Sequence, residues 1–484
     1  MRRLALAATA LCASASPALA QTFLTNFHKL FDHFSTSDME AAIQTDDKGY
    51  AYTGTHPNII LPTSWGRVLL HKLTPTFDHD WAMTYVHPGE PATGPSPEMR
   101  AYDVQQTADG GYVLCGDYLV EGAGTGWMSY LLKTDDLGQV MWFQLYPTID
   151  HLYSVAEVEV AGKGKGFFAV GQSDDVHSAV ALRTDPYGAV QCVKHVWADK
   201  NGVQSDGIYA QVIPYSKELF AMVGSVAWGY DDSDVLLTIM DADCNVLVNR
   251  VYGETITYYP GNPAPYGVFE TAWSLVELDG GHLALTGNYT TRCLTACVPN
   301  PIDDVLVMRV DGKGNPVWSN RYDLDEASDW GLHLTYASTS KGKKTRIYVT
   351  GRADTTVFDP DRSQDAFLLE LGPKIGAVDS CEVYGDDGAE AGEHVLPNLD
   401  GHLCILANTG SFGFGHDVTY WIERYANKIE PCHDRMLDPP SYKLFPEEVK
   451  PYEVKTLEPW TKEVLEARPM FLDDPILCEK IQIQ

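Results

Sequence analysis

The stretch Asp109-Gly110-Gly111-Tyr112-Val113-Leu114-Cys115-Gly116 decides the fold, because it recurs along the chain. It returns as Asp279-Gly280-Gly281-His282-Leu283-Ala284-Leu285-Thr286-Gly287, and in weaker form from Asp47 and from Asp400. Paired glycines permit the positive φ of a tight turn, and the aspartate can bond its own backbone two residues on. A repeat of this kind indicates the architecture before any single residue is interpreted.

Seven copies of the repeat align on the residue that ends its apolar run. These residues are Gly54, Gly116, Gly171, Gly224, Gly287, Gly351 and Ala407. The copy around Gly116 contains four short apolar segments, 102–107, 112–115, 129–134 and 140–146, separated by Gly and Asp turns. Such segments predict strands, and no helical spacing of apolar residues interrupts them. The sequence therefore predicts an all-β fold, a seven-bladed β-propeller with four-stranded blades.

The last copy lacks a clear fourth segment after Val418 to Arg424. The segment Phe27-His28-Lys29-Leu30-Phe31 has the aromatic spacing of Trp142-x-x-x-Tyr146 and Trp318-x-x-x-Tyr322, which end other copies. We therefore expect this N-terminal strand to close the last blade as its outer strand. Closure of this kind removes the open edges of the sheet.

The order of motifs within one copy resembles that of the secreted bacterial β-propeller repeat proteins. The order is Asp-Gly-Gly-Tyr, then Gly, then Leu131-Leu132-Lys133-Thr134-Asp135, then Gly-x-Val and finally Trp142-x-x-x-Tyr146. The resemblance covers roughly residues 22 to 425. It implies an exported propeller of a class whose activity is mostly unassigned. The copies that end at Gly171 and Gly224 depart from this pattern, because they lack the Asp-Gly-Gly turn.

Three regions are expected along the chain. Residues 1–20 read as a signal peptide, with Arg2 and Arg3 before an apolar stretch and Ala18-Leu19-Ala20 at the cleavage site. Residues 21–425 are the propeller. Residues 426–484 form a Pro-rich, acidic, glycine-free C-terminal tail, expected to be mostly irregular, and either strapped onto the propeller or used to bind a partner.

The charge of the chain bounds its partners. Sixty-six acidic residues against 35 basic ones give a net charge of −31, which opposes binding to nucleic acid and to anionic membrane surfaces. No stretch after the signal peptide reaches the ~20 apolar residues of a membrane span. A secreted protein, periplasmic or extracellular, is the expectation.

The cysteines fit an oxidising compartment. Cys293 and Cys297 lie four residues apart in a Pro-containing excursion, a spacing that predicts a local disulfide. Cys115 and Cys404 read as small core residues, while Cys192 and Cys244 fall at late turns of their repeats.

Two candidate sites follow from the repeat. The first strands line a central funnel, which places seven residues there as candidate ligand-binding positions. These are Glu40, Tyr102, Tyr153, Tyr209, Trp273, Trp330 and Glu393. A second set of carboxylates precedes the third strands and either caps their turns or holds Ca²⁺. This set is Asp234, Asp304, Asp365 and Asp417.

No catalytic motif is present: the chain has no His-Glu-x-x-His, no Gly-x-Ser-x-Gly and no phosphate-binding loop. This favours an exported, non-catalytic binding or scaffold module for a protein, a glycan or a surface component. The alternative is a hydrolase or lyase acting on polysaccharide, with funnel carboxylates as acid and base. No cofactor other than calcium is indicated.

Overall fold

The computed structural model describes residues 27–31, 38–57, 66–86, 98–119, 126–160, 164–174, 176–200, 203–216, 218–228, 232–253, 266–293, 302–324, 328–338, 344–354, 364–385, 388–397, 402–410, 418–424 and seven short segments between 434 and 479. The described residues form strands, turns and bends and contain no helix. The predicted signal peptide lies outside them.

The strands follow one another in antiparallel groups of four. After β1 (Phe27–Phe31) come β2 (Asp38–Gln44), β3 (Tyr50–Pro57), β4 (Gly66–Leu73) and β5 (His79–Val86), then β6 (Glu98–Gln106), β7 (Tyr112–Leu119), β8 (Met128–Thr134) and β9 (Val140–Tyr146). Next are β10 (His151–Val160), β11 (Gly164–Ser173), β12 (Ser178–Thr184) and β13 (Val190–Lys200), with β14 (Val203–Gln204) as a short extension.

The second half of the chain continues the pattern. It contains β15 (Asp206–Tyr215), β16 (Leu219–Ala227), β17 (Ser233–Asp241) and β18 (Val246–Gly253), then β19 (Tyr266–Leu278), β20 (His282–Cys293), β21 (Ile302–Val310) and β22 (Pro316–Tyr322). The next group contains β23 (Asp329–Ala337), β24 (Arg346–Ala353), β25 (Asp365–Gly372) and β26 (Ala377–Tyr384). The last group contains β27 (Glu390–Pro397), β28 (Leu403–Thr409) and β29 (Val418–Arg424).

The N-terminal strand joins the last group, as the sequence predicts. β1 pairs antiparallel with β29, with Phe27 opposite Glu423 and Phe31 opposite Thr419. The chain thus supplies the fourth strand of that sheet from its other end.

The described residues of the tail form seven short strands, whereas the composition of the tail predicts mostly irregular chain. They are β30 (Asp434–Leu437), β31 (Ser441–Lys443), β32 (Glu447–Val449), β33 (Tyr452–Lys455), β34 (Lys462–Glu463), β35 (Glu466–Pro469) and β36 (Ile476–Glu479). They pair in turn with β26, β22, β18, β13, β9, β5 and β1. Successive tail strands therefore pair with outer strands that lie progressively earlier in the chain, from β26 back to β1. Each adds one strand to the outer edge of a sheet.

The first strands of the groups lie against one another. β2 contacts β6, and the contacts continue through β10, β15, β19, β23 and β27, which contacts β2 again. Asn408 of β28 reinforces the last of these contacts, because its side chain accepts a hydrogen bond from Met39 N (3.1 Å) and donates one to Met39 O (3.1 Å).

The core consists of clusters between neighbouring sheets. One cluster joins Phe168 of β11 to Phe220 of β16, whose rings stack at 4.5 Å. Outer-strand tyrosines reach the turn of the next sheet: Tyr85 donates a hydrogen bond to Gly138 O, and Tyr146 donates one to Gly188 O. These recurring Trp and Tyr positions are therefore packing positions.

A disulfide joins Cys192 of β13 to Cys244, which follows β17, across a sequence separation of 52 residues. The pair links two neighbouring sheets. Both cysteines fall at late turns of their repeats, a placement that does not by itself predict the pairing. Of the predicted Cys293–Cys297 disulfide, Cys297 lies outside the described residues.

Candidate functional site

A β-bulge interrupts the first strand of every group at the same place. The strand pairing shifts register there, which leaves one residue of the first strand without an opposite partner. The bulged residues are Glu40, Tyr102, Tyr153, Ala210, Trp273, Leu332 and Glu393.

The repeated glycine of the sequence explains this position. Gly116 pairs with Ala101, the residue just before the bulge, and a Cβ on Gly116 would lie 1.8 Å from the Arg100 carbonyl oxygen. Gly171, Gly224 and Gly287 are in the same situation. A side chain on any of these four glycines would collide with the backbone beside the bulge, whereas the seventh group has Ala407 at this position, opposite Gly392.

All seven bulged residues line one cavity of about 410 Å³, here called the bulge cavity. Bulges re-aim side chains, and here they direct one side chain from each first strand toward a common space. The volume lies within the range of small-ligand sites.

Five of the seven predicted funnel residues line the bulge cavity: Glu40, Tyr102, Tyr153, Trp273 and Glu393. Tyr209 and Trp330 do not. Tyr209 is fully buried and donates a hydrogen bond to Thr238 Oγ1 at 2.6 Å. Trp330 donates to Asp303 Oδ2 at 2.9 Å and stacks under the Arg352 guanidinium at 3.6 Å.

The bulged residues of these two strands, Ala210 and Leu332, line the cavity, together with Ile208, Gln211 and His333. Counting from the glycine would have found the two bulged residues, because the bulged residue follows the partner of that glycine: Tyr209 pairs with Gly224, and Gly331 pairs with Gly351.

Polar side chains just after the bulges join neighbouring first strands. Ser154 Oγ accepts a hydrogen bond from Val212 N (3.3 Å), and Gln211 Oε1 accepts from Leu275 N (2.6 Å). His333 Nδ1 accepts from Val395 N (3.3 Å). These side chains accept hydrogen bonds from backbone amides of the neighbouring strand, so they serve to hold the strands together.

Asp103 accepts hydrogen bonds through both carboxylate oxygens. Its Oδ2 accepts hydrogen bonds from Ser154 Oγ (2.8 Å) and Val155 N (2.9 Å), while its Oδ1 accepts from Val104 N (2.8 Å). Burial raises the pKa of the carboxyl to about 6, against the lowering effect of these hydrogen bonds.

Two histidines line the cavity as neutral rings. His333 and His394 stack with centroids 3.5 Å apart. Burial lowers the pKa of His394 to about 3, and burial together with the neighbouring ring lowers the pKa of His333 well below its ordinary value. Neither ring carries charge at neutral pH.

The charge of the bulge cavity is negative. Glu40 and Glu393 line it, whereas none of its described lining residues is Lys or Arg. Two arginines interact with lining residues: Arg100 hydrogen-bonds to Tyr102, and Arg352 interacts with Glu393. Burial lowers the pKa of Arg352, an effect that the negative charges of Glu393 and Asp303 oppose.

A second polar cluster lies at the edge of the cavity. Buried Asp117 accepts hydrogen bonds through Oδ2 from Tyr102 OH (2.8 Å) and His151 Nδ1 (2.6 Å). Burial lowers the pKa of His151, but Asp117, Asp174 and Asp150 raise it above its ordinary value on balance. Tyr153 stacks on His151 and also lines the cavity.

The predicted calcium residues are not brought together. Asp234, Asp304 and Asp365 begin the third strands of three different groups and are buried, and Asp304 pairs with Arg321 at 3.0 Å. Asp417 lies outside the described residues. Across the part of the chain that is described, no three His, Cys, Asp or Glu side chains gather where they could hold a metal ion.

The fold and cavity define an all-β protein of repeated four-stranded antiparallel sheets with a shared ligand-sized cavity. No protein-family model and no curated protein sequence matches the chain. Among solved structures it is similar to the WD40 domain of Neurospora crassa Pan2, with TM-score 0.45, 11% identity and coverage of 82% of this chain and 91% of that one. It is also similar to the polysaccharide lyase Uly1, with TM-score 0.43, 12% identity and coverage of 80% and 89%.

Neither likeness carries information about activity. The part of the chain that is described also contains no helix long and apolar enough to cross a membrane.

Proposed function

We propose that this protein is an exported, non-catalytic binding module, built as a closed seven-bladed β-propeller whose ligand site is the bulge cavity. The succession of contacts among the first strands, from β2 round to β27 and back to β2, supports closure. The antiparallel pairing of β1 with β29 supports it as well.

Export is supported by the N-terminal residues and by one disulfide. Arg2, Arg3 and the Ala18-Leu19-Ala20 pattern have the order of a secretory signal. The Cys192–Cys244 disulfide suits an oxidising compartment. Expression of the full chain in a secreting host, followed by N-terminal sequencing, tests this. A mature protein that begins at Gln21 is expected, and an uncleaved intracellular product would contradict export.

The observation that carries the binding function is the convergence of seven bulged residues on one ligand-sized cavity. Asp103, Ser154, Gln211 and His333 have the polar atoms usual in catalysis, but they hold the first strands together. Groups that satisfy buried amides are poorly placed to exchange protons with a substrate. The cavity is therefore suited to holding a ligand rather than to transforming one.

Filling the cavity tests this function. Ala210→Trp places a large side chain at a bulged position that the wild type leaves small. Tyr187→Trp serves as the matched control, because Tyr187 is exposed on a turn. A panel of small cations, peptides and oligosaccharides is titrated by calorimetry into all three proteins. We expect at least one class to bind the wild type and the control but not Ala210→Trp, and no product to form. Binding that survives in Ala210→Trp would contradict the site.

The alternative function, a hydrolase or lyase acting on polysaccharide, is favoured by one observation. Glu40 and Glu393 line the same cavity, and glycoside hydrolysis uses a pair of carboxylates. Incubation with neutral and uronate-containing polysaccharides, with assays for reducing ends and for unsaturated sugars, tests it. Product formation that is lost in Glu40→Gln and Glu393→Gln would replace the binding function by this one.

A further inference from the structure

We infer that the bulge cavity binds an alkylammonium cation, held between aromatic faces and two carboxylates; the inference rests on the binding function proposed above. Three bulged residues are aromatic, namely Tyr102, Tyr153 and Trp273. The rings of Tyr102 and Tyr153 lie 5.0 Å apart and are tilted by 54°. Aromatic faces attract a cation through the negative potential above the ring.

The carboxylates supply the opposite charge. Glu40 and Glu393 are bulged residues of strands that contact each other, β2 and β27. Glu393 also accepts a hydrogen bond from Asn408 Nδ2 at 3.3 Å and interacts with the Arg352 guanidinium. Glu40 and Glu393 thus place two carboxylates on the cavity wall, and none of the described lining residues is Lys or Arg.

The hydrogen-bonding capacity of the walls argues against a neutral sugar. A sugar hydroxyl requires both donors and acceptors, and two of the wall acceptors, Gln211 Oε1 and Ser154 Oγ, already accept hydrogen bonds from strand amides. An ammonium ion brings charge, apolar methylene or methyl groups and at most donors. The aromatic faces and the carboxylates match that set of properties.

A pair of probes of equal shape separates charge from hydrophobic contact. Choline carries a trimethylammonium group, whereas 3,3-dimethylbutan-1-ol carries a neutral tert-butyl group in its place. Calorimetric titration of the full chain is expected to give choline at least about tenfold tighter binding than its neutral counterpart. A peptide bearing trimethyllysine forms a second arm. Tighter binding of the peptide than of choline assigns the cation to a partner protein, and the reverse assigns it to a small molecule.

The variants identify the groups responsible. Glu40→Gln/Glu393→Gln keeps the shape of both side chains and is expected to weaken choline about tenfold or more, with little change for the neutral alcohol. Glu159→Gln removes an exposed carboxylate of β10 and is the matched control, with choline binding unchanged. Trp273→Leu keeps an apolar wall without the indole and is expected to weaken choline more than the alcohol.

Each outcome bears on one of the two proposals. Equal binding of choline and the alcohol, or choline binding unchanged in the double Gln variant, overturns the cation inference. If cellotriose binds, is lost in Ala210→Trp, and choline does not bind, the cation inference fails while the binding module stands. If no member of the panel binds the wild type, both fail.

Discussion

Asp103 occupies the position just after a bulge, where most first strands place a polar side chain that bonds to the next strand. The equivalent residue of β2 is Ala41, which has no polar group to offer to β6. The amide of Val104 in β6 is instead satisfied by Asp103 itself at 2.8 Å. One carboxylate therefore serves its own strand and the following one, which explains why a buried charge is kept there.

The pKa of Asp103 makes a prediction about stability. Because burial raises the folded pKa to about 6 from the ordinary 3.8, the folded state holds this proton more tightly than the unfolded state. The contribution of Asp103 therefore becomes less favourable as pH rises from about 4 to above 6. Between pH 4.5 and 7.5 the loss is about 2 kcal/mol in the free energy of unfolding.

Urea unfolding of the wild type and Asp103→Ala at both pH values measures this. Asp103→Ala leaves the Val155 amide and the Ser154 hydroxyl without their acceptor and should be less stable throughout, by about 1–3 kcal/mol at pH 7.5. The gap between the two proteins should be wider at pH 4.5. A gap that is equal at both pH values would show that Asp103 titrates normally.

At the scale of the element, β1 lies between two other strands of its sheet. It pairs with β29 on one side and with the tail strand β36 on the other. Deletion of Phe27–Phe31 removes both pairings at once and exposes the edge of β29. We expect a fall of roughly 5 °C or more in Tm by calorimetry.

Deletion of residues 21–26 is the control for this experiment. It shortens the mature N-terminus by a similar length but leaves β1 in place, so Tm should stay unchanged. Equal Tm values for the two deletions would mean that β1 does not close the sheet.

The tail strands protect the outer edges of the sheets. Each pairs with an outer strand that would otherwise present open backbone donors and acceptors, as β33 does along Trp197 and its neighbours in β13. A chain that stops at residue 425 should therefore self-associate through these edges and melt at lower temperature. Light scattering and calorimetry measure both effects. Deletion of residues 480–484, beyond β36, is the control, and a monomeric, equally stable 1–425 chain would contradict the role.

The elements differ in how far the sequence predicts them. The four-stranded groups were predictable because their strands are short apolar runs that end in Gly and Asp turns, and inner strands such as β7, β12 and β17 are buried along nearly their whole length. The tail strands were not, since two to four residues that pair only with a sheet edge need no apolar run. In the site, Tyr102 and Tyr153 were predictable from the repeat. Ala210 and Leu332 were missed because their role follows from a bulge in the backbone and not from side-chain type.

At the scale of the whole molecule, the dominant property is a net charge of −31 on 484 residues. Self-repulsion of this charge opposes the compact state, and salt screens it: the Debye length falls from about 30 Å at 0.01 M to about 8 Å at 0.15 M. Tm should therefore rise by a few degrees over this range. NaCl and KCl should act alike, and a Tm that differs between them would indicate specific ion binding instead.

The same screening should act on the bulge cavity with the opposite sign. An alkylammonium ligand is attracted by Glu40 and Glu393 and by the field of the whole chain, and both weaken as salt is added. Choline binding should therefore weaken from 0.01 to 0.15 M NaCl while Tm rises, and the neutral alcohol should be insensitive to salt. Calorimetric titration of both probes at the two salt concentrations measures this. Choline affinity that rises with salt together with Tm would mean that salt acts by stabilising the fold, and that charge does not hold the ligand.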